Sequence, residues 1–421
     1  MHFTQITLPR FFSKTIFMLF LVTTFFACNN SKSDKKETVA NQPKSVWVGT
    51  WATAPQLVEP HNMPPEPGLT NNSIRQIVRV SIGGDSIRLR FNNEFSKAPV
   101  TMKAVQVAAS IDSSVINTST IKELKFNGST EVTIQPGTAI TSDALAFDLK
   151  PRMDVAITIH FGEIAPDVTG HPGSRTTSYI YEGNKISEEN FNEAVKTDHW
   201  YIINGIDVKA TEETKAVVVL GNSITDGRGS GTNKQNRWPD ILSERLLENP
   251  ATSKIGVLNM GIGGNAVLRG GLGPTALERF ERDVLNQHGV KWLIILEGVN
   301  DLGGTRNAEA ANAVGDGLIA AYTTMIEQAH AQDIVVYGAT ILPIDKSFYY
   351  KDFREPVRQR VNDWIRNSGK FDAVIDFDKA MSDPENPSVI LPNAHDGDFL
   401  HPNELGYKIM GEAIDLSLFQ E

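Results

Sequence analysis

From Thr211 onward, short apolar runs alternate with longer stretches of helical spacing, and few folds accommodate such a pattern. The runs fall at 216–220, 256–259, 292–296, 334–337 and 373–375. They lack polar alternation, as strands buried on both faces require. Residues 238–247, 275–287, 308–331, 353–367 and 404–418 carry apolar side chains at helical intervals. The alternation predicts an α/β domain over 211–421, a parallel sheet with helices on both faces. In such sheets the loops beyond the carboxyl ends of the strands hold the ligands.

The first run ends in Gly221-Asn222-Ser223-Ile224, so Ser223 stands just past a strand end. Taken alone, such a serine equally caps a helix or bonds its own turn. Three more short motifs follow in order: Gly261-Ile262-Gly263-Gly264-Asn265, Gly298-Val299-Asn300-Asp301 and Asp398-Phe399-Leu400-His401. Together the four resemble the sequence blocks of the GDSL, or SGNH, hydrolase family over roughly 216–419. The resemblance implies a three-layer, flavodoxin-like fold. It places the family's serine nucleophile, glycine, asparagine and histidine on Ser223, Gly264, Asn300 and His401. Asn222 stands where the family commonly has aspartate.

The chemistry of these residue types agrees. A serine hydroxyl is a weak nucleophile until a base takes its proton. His401 is the candidate base, and Asp398, three residues earlier, orients it and stabilises its imidazolium. Pro402 follows and is expected to open the last helix. Ester cleavage also needs donors aimed at the developing oxyanion. The family match implies the Gly264 N–H; the Asn300 amide and the Ser223 backbone N–H complete the set. A phosphate-binding reading of 261–265 fails, because no Gly-x-Gly-x-x-Gly spacing follows the first strand. The nine histidines include no His-Glu-x-x-His, and the cluster of His395, Asp396 and Asp398 shares its loop with the triad turn. Neither a metal nor another cofactor is expected.

The amino-terminal half reads differently. Residues 1–28 are a targeting segment: Arg10 and Lys14 precede an apolar stretch at 15–27 that is too short to span a bilayer. It ends in Phe26-Ala27-Cys28, the only cysteine, and resembles a bacterial lipoprotein signal with lipidation of Cys28. An ordinary signal peptide with an incidental cysteine is the alternative. With no disulfide available, stability rests on core packing. Residues 29–44, rich in Asn, Ser, Lys and Asp, read as a disordered tether. Residues 45–210 show short alternating segments and predict a β-sandwich-like domain, with a hairpin at Gly83-Gly84-Asp85.

The stretches 47–56, 91–99 and 169–179 resemble the amino-terminal region of a xylan-esterase-like subgroup. That resemblance implies a secreted esterase acting on O-acyl, above all O-acetyl, groups of polysaccharides such as xylan or pectin. Candidate substrate contacts are Asn265, Arg237, Trp238 and His171, with Arg175, Arg269 and the Tyr349-Tyr350 pair beside them; Trp238 equally fits a core. A lysophospholipase or short-chain lipase is the alternative within the family. A non-catalytic glycan-binding lipoprotein is the alternative of another class. The expected location is the periplasmic face or surface of a Gram-negative bacterium, held at the membrane through Cys28. The formal charge of −10 and the lack of a basic stripe argue against a nucleic-acid partner.

Overall fold

The strands Lys215–Gly221, Ile255–Gly261, Val290–Leu296, Val335–Ala339 and Ala373–Ile375 form one parallel sheet. The second strand lies at the edge beside the first, and the third, fourth and fifth follow on the other side. The computed structural model describes residues 45–420 apart from Ala165. The targeting segment, Cys28 and the 29–44 tether lie outside the described residues. Val217, Val218 and Val219 are fully buried, which explains their unbroken apolar run. The chain reverses direction across the sheet between its first and third strands, so the loops after these strands open a crevice.

Among the described residues eight α-helices accompany the sheet: α1 (Ser223–Asp226), α2 (Trp238–Glu248), α3 (Ala276–Phe280), α4 (Val299–Gly303), α5 (Ala308–His330), α6 (Glu355–Asn367), α7 (Phe377–Met381) and α8 (Glu404–Ala413). The last begins at Glu404, the first residue of its expected stretch, but Pro402 is not its opening residue. Asn403 is its cap, its side chain accepting the Gly406 N–H at 3.1 Å, and Pro402 precedes the helix instead of opening it. Pro402 is instead paired in a β-bridge with His395, which leaves the cap to the asparagine. Among the described residues no helix is long and apolar enough to cross a membrane.

Residues 45–211 are strands joined by turns and short 3₁₀ segments. One antiparallel sheet runs through Ser45–Ala52, Ile203–Thr211, Gly84–Asn93 and Leu145–Leu149; another centres on Ser73–Arg79, Asp154–Phe161 and Val100–Asp112. The hairpin expected at Gly83-Gly84-Asp85 does not form, because Ser73–Arg79 and Gly84–Asn93 belong to different sheets. The connection is tied to the Ser45–Ala52 strand instead. The Ser81 N–H and hydroxyl both donate to the Thr50 carbonyl, and the Thr50 hydroxyl donates to Ile82 C=O. These long-range bonds override the local turn preference.

The β-rich half covers the open edge of the parallel sheet. Gly49 packs so closely on Leu258 that a Cβ there would lie 2.7 Å from its methyl carbon. The Ser81 hydroxyl accepts the Val257 N–H at 3.0 Å. An edge-strand donor is thereby satisfied, and one hydrophobic cluster runs through both halves.

Candidate active site

Ser223 is the first residue of α1, and the sequence explains why the chain turns there. Gly221 ends the strand, and Asn222 caps the helix by accepting the Ile224 N–H at 3.1 Å. The other end of that amide donates to Glu297 Oε2 at 3.2 Å. Glu297 is buried, and burial pushes its carboxyl up to about 8 against the pull of Arg279. An aspartate at position 222 would set a second carboxylate against it, a physical reason for asparagine here.

His401 Nε2 lies 2.8 Å from Ser223 Oγ, and His401 Nδ1 lies 2.6 Å from Asp398 Oδ2. The other carboxylate oxygen of Asp398 accepts the backbone N–H groups of Leu400 and His401, at 3.0 and 2.9 Å. Burial alone would raise the Asp398 carboxyl, but these donors hold it below its ordinary value. The carboxylate fixes the proton of His401 on Nδ1 and leaves Nε2 to accept from the serine. For His401, burial is the largest influence and lowers its pKa from 6.5; Asp398 opposes this, while Arg228 and Arg175 add to it. A base must be neutral to accept a proton, so lowering its pKa extends activity toward acid. The kcat/KM profile is therefore expected to keep its plateau to below pH 6.5, the ordinary histidine value. An acid inflection above 6.5 would contradict this environment for His401.

Opposite the serine, Gly264 adopts a φ of +71°, which glycine reaches without strain. Among the described residues neither its N–H nor that of Ser223 meets an acceptor. The Asn300 amide donates one N–H to the Asn265 carbonyl at 2.7 Å, and its oxygen accepts the Tyr349 hydroxyl at 2.8 Å. That fixes the amide's orientation and leaves its second N–H uncommitted. Asp301 ties the two loops together by accepting the N–H groups of Val267 and Leu268, each at 2.9 Å. Beneath them, the fully buried Arg279 donates to the carbonyls of Gly221 and Met260 and to Asn265 Oδ1. One guanidinium thus ties the strand end that carries the serine to the glycine turn.

Ser223, Gly264, Asn300 and His401 line a cleft of about 430 Å³ that also takes in Gln56, Glu59, Asn62, Arg175 and His199 from the β-rich half. Four of the expected substrate contacts lie outside it. Asn265 is buried, with its amide bonded to Leu272 C=O, Pro274 C=O and Arg279. Arg237 donates to the Ser174 carbonyl and Gln235, and Trp238 is core, edge-on to Phe377 at 5.2 Å. His171 stands behind the cleft, bonded to the Ala54 carbonyl and to Asp226 Oδ1 at 2.8 Å. Arg175 and Tyr349 do reach the cleft, whereas Arg269 lines a neighbouring depression. Sequence reasoning missed Arg228, Asp226, Glu59 and His199. Only Asp226 and Arg228 carried a signal, being within five residues of the serine.

Residues 219–409 match the model of the GDSL-like Lipase/Acylhydrolase family. This part of the chain is a GDSL-like hydrolase domain with α/β architecture. Similar solved structures include a GDSL-like lipase from Bacteroides thetaiotaomicron, 24% identical, covering 50% of this chain and 90% of that one at a TM-score of 0.37. A catalytic mutant of an acetylxylan esterase from Geobacillus stearothermophilus is 20% identical, covering 49% and 95% at 0.38. A lipase/acylhydrolase from Enterococcus faecalis is 21% identical, covering 48% and 93% at 0.37. No curated protein gives a significant match.

Proposed function

We propose that the protein is a serine esterase that hydrolyses O-acyl esters, with O-acetyl groups of polysaccharides as its substrates. The reading rests on one observation above the others: Ser223 Oγ, His401 Nε2 and Nδ1, and Asp398 Oδ2 form a continuous hydrogen-bonded chain at the cleft. In the first half-reaction Ser223 Oγ bonds to the ester carbonyl carbon while His401 takes its proton. The oxyanion meets the N–H groups of Ser223, Gly264 and Asn300. Collapse breaks the ester C–O bond, and His401 returns the proton to the departing alcohol. Water, deprotonated by His401, then attacks the acyl-serine and releases the acid, restoring the serine. No metal or other cofactor takes part in these steps.

Gln56, Glu59, Asn62 and His199 on one wall suit a hydroxyl-rich alcohol, which supports a carbohydrate ester. A lipase reading has its own support in Leu272 and Phe348, which are exposed at the cleft, Phe348 to 60%. Rates on p-nitrophenyl acetate and octanoate, beside acetate release from acetylated xylan and pectin, separate the two. The expected result is faster turnover of the acetate ester together with acetate release from a polysaccharide. Preference for octanoate would favour the lipase, and no turnover of any ester would leave a glycan-binding protein. Export and a lipid anchor on Cys28 are proposed separately, on the apolar stretch at 15–27 and the Phe26-Ala27-Cys28 that ends it. The mass of the mature chain tests that part.

A further inference from the structure

Two guanidinium groups at the cleft have no role in the acyl-transfer steps. Arg228 is exposed and lines the cleft, and its side chain has no hydrogen-bond or ion-pair partner among the described residues. Its backbone is nonetheless held firmly. The N–H donates to the Ser223 carbonyl at 2.9 Å, and the carbonyl accepts the hydroxyl of the buried Tyr407 at 2.6 Å. The next residue, Gly229, lies so close to the His401 turn that a Cβ there would sit 2.3 Å from the Pro402 carbonyl oxygen. Arg228 is thus a free cation at the cleft, on a backbone tied to the serine's turn and packed against the His401 turn.

Arg175 reaches the same cleft from the β-rich half. Its φ of +52° is uncommon for a residue with a side chain, and its carbonyl is fixed by the Asn233 N–H at 2.9 Å. Its Nε is buried without an acceptor, and one Nη lies 3.4 Å from Asp226. Backbone strain and an unsatisfied buried donor in one residue are features that a ligand at the cleft would account for. One Nη shares the Asp226 carboxylate with His171, which lies 2.8 Å from it, so the buried Nε is the donor that this pairing leaves unmet. Room is made for this arrangement by Gly173, where a Cβ would lie 1.8 Å from Asp226 Oδ2. The other cleft carboxylate, Glu59, accepts from the amides of Gln56 and Asn62 at 2.7 and 3.0 Å.

We propose that Arg175 and Arg228 form a subsite for an anionic group on the alcohol half of the ester, the carboxylate of an acetylated acidic sugar. This rests on the esterase reading. His401 must hand its proton to the departing alcohol, so groups flanking His401 meet the alcohol and not the acyl carbon. Guanidinium forks match a carboxylate in geometry and charge. The lowering of the His401 pKa by both arginines agrees with their placement. A phosphate on a lysophospholipid alcohol presents the same chemistry, and the test separates the two.

The experiment compares kcat/KM for an O-acetylated methyl galacturonide, the matching galactoside and lysophosphatidylglycerol, with p-nitrophenyl acetate as reference. Wild type is expected to prefer the acidic sugar over the neutral one by about tenfold or more, the effect of a charge-assisted hydrogen bond. Arg228→Ala should lower that ratio toward unity through KM, and Arg175→Lys should lower it in part. The preference should also weaken with added salt. Equal rates on both sugars, unchanged by Arg228→Ala while aryl acetate is hydrolysed, would overturn the subsite and leave the esterase standing. An Arg228 dependence confined to the phospholipid overturns the acidic-sugar assignment. Failure of wild type on every ester overturns the esterase reading and the subsite with it.

Discussion

Ser223→Ala should lower kcat by about 10⁴-fold or more, with KM little changed. Serine, histidine and aspartate act as a unit, so removing the nucleophile leaves only binding and the oxyanion donors. The substitution deletes one oxygen whose bond runs to His401 Nε2. The Asn222 cap, the Asn222–Glu297 bond and the Asp398 turn are untouched. Loss of stability should accordingly stay near 1 kcal/mol, the ordinary effect of one hydrogen bond. A serine-directed fluorophosphonate should label the wild type at Ser223 and fail to label the variant. Labelling at a different serine would remove Ser223 from the nucleophile's role.

Asn300→Ala should lower kcat on the order of 10²–10³-fold, as loss of a donor to the transition-state oxyanion does elsewhere. From its place at a strand end, the sequence suggests a side chain facing solvent and a truncation the fold barely notices. The structure corrects the second half of that expectation. Asn300 donates to the Asn265 carbonyl and accepts from Tyr349, so alanine leaves both without their partner. A cost of about 1–3 kcal/mol is expected beside the kinetic loss. Tyr349→Phe separates the contributions, because it removes the orienting bond and keeps the amide. It should slow turnover far less than Asn300→Ala does. A lowered Tm with near-normal kcat in Asn300→Ala would assign the residue to the scaffold alone.

Much of the hydrolase half was legible because its signals are local. Five unbroken apolar runs announced buried parallel strands, and each appears within two residues of its expected bounds. Asp398 and His401 are three residues apart, and the turn between them also supplies the backbone donors that hold the carboxylate. Gly264 was singled out by the family resemblance, and its φ of +71° suits the glycine there.

What stayed hidden depends on partners far along the chain. Arg237 was a candidate for the cleft and Trp238 for cleft or core alike, but the start of helix α2 turns both inward, against the Ser174 carbonyl and Phe377. The Gly83-Gly84-Asp85 turn carried every local mark of a hairpin, yet bonds to Thr50 send its two flanks into separate sheets. Glu59, Arg175 and His199 join the cleft although more than twenty residues separate each from the next in sequence. Periodicity therefore determined the parallel sheet and the strand-end loops, since these follow from burial and backbone geometry over a few residues, while the site's motifs were legible through their resemblance to a known family. Only the tertiary structure decided which polar groups face the substrate, because a side chain's surroundings are set by whichever distant strand packs against it.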